Sequence, residues 1–87
     1  MAISTAELVG KVKDLQQTSE QLARMIELAA YDLSKSAAVL SELTRGSRSG
    51  EEATGSVRTA ADSLDKAASS LKALDRACDE FIQNAVR

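Results

Sequence analysis

Thr44-Arg45-Gly46-Ser47-Arg48-Ser49-Gly50-Glu51-Glu52-Ala53-Thr54-Gly55 holds three of the four glycines of this 87-residue chain. Clustered Gly and Ser between periodic segments mark a turn. Both flanks are long and free of Pro, so each reads as one helix. The stretch predicts a helix from about Thr5 to Arg45, a turn over 46–49 and a second helix from about Gly50 to Val86. All 87 residues then form one helical hairpin domain. Gly46 is placed to end the first helix in the left-handed conformation. Ser49 and Glu52 have capping-box spacing, which starts the second helix near Gly50. Gly55 weakens that first turn by about 1 kcal/mol relative to Ala, so a start nearer Thr54 competes. At the other end, Ser4 and Glu7 form a second capping box, and Ile3 and Leu8 stand at the flanking staple positions.

Composition agrees with helices and removes most chemistry. Fifteen residues are Ala, and the aromatics are one Tyr and one Phe. Strand formers are few, with five Val, three Ile and five Thr. There is no His, so no imidazole base or His metal ligand exists. The single Cys makes neither an intrachain disulfide nor a thiolate cluster. Formal net charge is −2, whereas a binder of nucleic-acid phosphate is basic. The apolar runs are far shorter than a membrane span. No phosphate loop, nucleophile elbow or metal spacing occurs. The expectation is a non-enzyme without cofactor, metal, nucleic acid or membrane span. It is cytoplasmic, or exported without a cleaved signal peptide.

The apolar period is 3.5. Steps of three and four connect Leu8, Val12, Leu15, Ser19, Leu22, Ile26, Ala29, Leu33, Ser36, Leu40 and Leu43. In the second helix they connect Ala53, Val57, Ala60, Leu64, Ala67, Leu71, Leu74, Cys78, Phe81 and Ala85. Such a seam supercoils against another helix. A short turn makes the two seams antiparallel partners. Facing residue numbers then add to about 93, which sets Leu15 opposite Cys78. Sliding by one heptad puts Leu22 opposite Cys78 and needs a longer loop. Size alternation allows both registers.

Further apolar residues lie beside this seam: Val9, Ala23, Met25, Ala30, Ala37 and Val39, with Ala61, Ala68 and Ile82 on the second helix. A face that wide needs a second layer, and a four-helix bundle with another hairpin supplies one. Met25, Val39 and Ile82 are therefore candidate partner contacts. Leu28 and Tyr31, three apart on the outer face of helix one, are two more. Gly46, Ser49 and Gly50 are the turn residues.

Other residues carry alternative readings. Cys78 on the seam is a small buried hydrophobe or a reactive thiol. Ser19 and Ser36 bond their own helix carbonyls or fix register. Arg45 and Arg48 are solvated, or form a docking tip for an acidic partner. Asp79, Glu80 and Phe81 are an acidic pair beside a core Phe, or part of a recognition signal.

A helical hairpin of 80 to 100 residues with a Gly-containing turn near its middle resembles the WXG100/ESAT-6-like superfamily. Gly46 holds the position of that family's turn glycine. The chain has no Trp for the Trp-x-Gly turn, and its only Tyr is in helix one, away from a C-terminal Tyr-x-x-x-Asp/Glu signal. The resemblance implies a hairpin that dimerises into a four-helix bundle. It also implies a bacterial type VII secretion context, as the motif-poor partner of a signal-bearing chain or of a toxin cargo. A cytosolic coiled-coil adaptor or chaperone is the alternative.

Overall fold

In a computed structural model, residues 4–85 are described and form two helices. Helix α1 runs Thr5–Leu43 and α2 runs Arg48–Ala85, packed along their length with no strand among the described residues. The all-α antiparallel hairpin expected from the periodicity is the fold. The staple residue Ile3 and the expected helix end Val86 lie outside the described residues.

Local chemistry explains the ends. Ser4 Oγ accepts from the Glu7 backbone N–H at 3.2 Å, one half of the capping box. At the other end of α1, the Thr44 N–H and Oγ1 both donate to the Leu40 carbonyl. Gly46 has φ 83°, a conformation that costs other residues about 1–2 kcal/mol. The turn is earlier than expected. Helix α1 stops at Leu43 instead of Arg45, and α2 begins at Arg48 instead of Gly50. Ser47, and not Ser49, caps α2: its Oγ accepts from the Gly50 N–H at 3.2 Å and its carbonyl from the Glu51 N–H at 3.0 Å. Ser49 lies inside the helix. The capping-box spacing is present, but a nearer Ser follows the glycine directly.

The contact seam differs from the expected one by half. Steps of three and four link the buried and half-buried residues Val9, Val12, Gln16, Ser19, Ala23, Ile26, Ala30, Leu33, Ala37, Leu40 and Thr44. On α2 they link Gly50, Thr54, Val57, Ala61, Leu64, Ala68, Leu71, Asp75, Cys78, Ile82 and Ala85. One stripe of each helix is as expected, namely Val12 to Leu40 and Val57 to Ala85. The other stripe is displaced by one residue. Ala23, Ala30, Ala37, Ala61 and Ala68 form the core and do not merely widen it. Leu8, Leu15, Leu22, Leu74 and Phe81 are left at its edge, with Leu22 43% exposed.

Small residues win the interface for a geometric reason. Ala, Ser, Thr and Gly let the two backbones approach closely, and the branched residues of the shared stripe close over them. Ala37 is 0% exposed and Ser19 2%. A Cβ on Gly50 would collide with the Thr44 side chain.

The short-loop register holds. Ser19 Oγ donates to the Leu71 carbonyl at 3.0 Å, and Gln16 Nε2 donates to the Asp75 carbonyl at 3.3 Å. With Thr44 against Gly50, these pairs have residue numbers adding to 90, 91 and 94. All lie near 93 and away from the longer-loop value of 100.

The hairpin is one layer thick, with extents of 63 × 23 × 13 Å. Its radius of gyration is 19.4 Å, against about 12 Å for a globule of this length. Its accessible surface is 6435 Å², against about 4,900 Å² for a globular monomer of this mass. The chain therefore leaves apolar surface that it has no second layer to cover.

Candidate interaction surface

The two broad faces of the hairpin are chemically different, and the displaced seam is the reason. In both helices the residue immediately before each buried small position points to the same side. Antiparallel helices are related by a twofold axis normal to their plane, which keeps equivalent flanks on one face. On α1 these residues are Leu8, Leu15, Leu22, Ala29, Ser36 and Leu43; on α2 they are Ala53, Ala60, Ala67, Leu74 and Phe81. All are exposed. The opposite face carries the residues after the shared stripe: Lys13, Glu20 and Glu27 on α1, with Arg58, Asp65, Lys72 and Asp79 on α2.

The charged face closes over itself. Lys72 Nζ lies 3.0 Å from Glu27 Oε1, and Gln16 Nε2 donates to Asp79 Oδ1 at 2.8 Å. Asp79 thus braces the hairpin. Half-exposed pairs of this kind contribute little stability, but they show that this side can remain in water. The apolar face has no equivalent closure.

That apolar face is tapered. At the open end of the hairpin it presents Leu8, Leu15, Leu22, Leu74 and Phe81. Towards the turn it presents Ala29, Ser36, Ala53, Ala60 and Ala67, and it ends on Leu43, which is 80% exposed. An open depression of about 510 Å³ lies at the turn end of α1, lined by Asp32, Lys35, Ser36, Val39, Leu40 and Leu43.

The candidate contacts divide between sides. Met25 and Val39 are exposed on the rim of the apolar face, and Val39 also lines the depression. Ile82 is half-buried and lies on the intramolecular seam. Leu28 and Tyr31 are 66% and 62% exposed; Leu28 stands three residues from Met25 and borders it on the helix surface, whereas Tyr31 lies further round, away from Met25 and Val39. Lys35 Nζ sits 5.4 Å from the Tyr31 ring centroid, a local cation–π contact. Gly46 and Gly50 shape the turn. Arg45 and Arg48 pair locally with Glu42 at 2.7 Å and Glu52 at 3.4 Å.

A polar layer crosses the seam near its open end. Ser19 reaches across to α2 instead of bonding its own helix, while Ser36 is exposed. Asp75 Oδ1 is buried there without a hydrogen-bond partner in the structure. Cys78 is 5% exposed, as the small-hydrophobe reading requires. Sequence reasoning missed Gln16 and Asp75 because the expected seam ran through the larger apolar residues Leu15 and Leu74 beside them. It missed the taper because the large residues had been assigned to the interior. The sizes of the two adjacent stripes were the available signal.

No family model, curated protein or solved structure matches this chain. No helix among the described residues is long and apolar enough to cross a membrane.

Proposed function

We propose that this hairpin is a non-catalytic assembly subunit that packs its apolar face on another helical hairpin and completes a four-helix bundle. We further propose that its context is a WXG100-like partner or targeting role in type VII-type secretion. The observation that supports assembly is the single layer with one charged, self-paired face and one exposed apolar face. Apolar patches of this extent on small proteins mark association sites. A bundle uses coiled-coil packing that the exposed stripe already has. The secretion context is supported by the hairpin length, the central turn glycine and the resemblance built on them.

The test is export. The tagged chain and its native neighbours are expressed in a type VII-competent host, with and without the secretion ATPase. The proposal expects the chain in the culture medium only when the ATPase is present. Retention in the cells under both conditions, with a cytosolic client bound, overturns the secretion context and favours the adaptor reading.

A further inference from the structure

We draw no further inference here: the strongest candidate, the open cavity on the charged face lined by Glu27, Ala30, Tyr31, Ser34 and Asp65, rests on a pair of exposed carboxylates, one of them already paired with Lys72, and no second observation in the structure points to a ligand there.

Discussion

Thr44 occupies the space that a Cβ on Gly50 would need. Thr44 caps the end of α1 and Gly50 lies in the first turn of α2, so the two residues close the hairpin on either side of the Gly46 bend. Gly50 is therefore held by packing, whereas Gly55 has no atom within contact range of an added Cβ. Gly50→Ala should destabilise by about 1–3 kcal/mol through overpacking. Gly55→Ala should stabilise by about 1 kcal/mol, the helix-propensity difference. Urea denaturation of both variants checks the pair, and equal effects would mean that the arms do not close on Gly50.

The seam prefers small residues at its displaced stripe. Ala37→Leu should cost about 1–3 kcal/mol, because no space receives the added atoms. The neighbouring exposed Ala38→Leu should stay within about 0.5 kcal/mol. Thermal melts at fixed protein concentration compare them. A hairpin closed by its leucine stripe would show the reverse order.

Ser19 is buried and donates across the seam to the Leu71 carbonyl. Ser19→Ala keeps the close approach and loses one hydrogen bond, for a cost of about 0.5–1.5 kcal/mol. Ser19→Leu makes the stripe from Val12 to Leu40 wholly apolar yet should cost more, about 1–3 kcal/mol. Chemical denaturation that ranks Leu above Ser would show that the polar layer is not tightly packed.

Register can be read with the native thiol. Gln16 and Cys78 occupy the same seam layer, while Leu15 and Leu22 point to the apolar face. Gln16→Cys should therefore form an intrachain disulfide with Cys78 faster than Leu15→Cys or Leu22→Cys does. Non-reducing electrophoresis at low protein concentration follows the three. Preferential bridging from position 22 would demand the longer loop.

Association should appear in the melting curve. The core holds mostly Ala, and among the described residues no large side chain is fully buried, so a lone hairpin has little apolar burial to offset its chain entropy. Melting temperature should rise with protein concentration, as for any fold stabilised by assembly. Leu22→Ala should lower the melting temperature more at high concentration, where the dimer forms, than in the dilute monomer. A concentration-independent melt would place the stability within one hairpin.

The residues alone determined that the chain is helical, that it turns back once near Gly46, that Ser4 caps the first helix, and that one stripe of each helix lies on the seam. These follow from local chemistry: no Pro, abundant Ala, one Gly and Ser cluster, and an apolar period of 3.5. Two seams on each helix share that stripe, however. One adds Leu8, Leu15, Leu22, Leu74 and Phe81; the other adds Ala23, Ala30, Ala37, Ala61 and Ala68. Hydrophobicity favours the first for the interior, because larger side chains bury more area. Only the tertiary structure decided for the second. Small residues let the backbones approach, cross-helix bonds from Gln16 and Ser19 form at that distance, and the large residues remain outside.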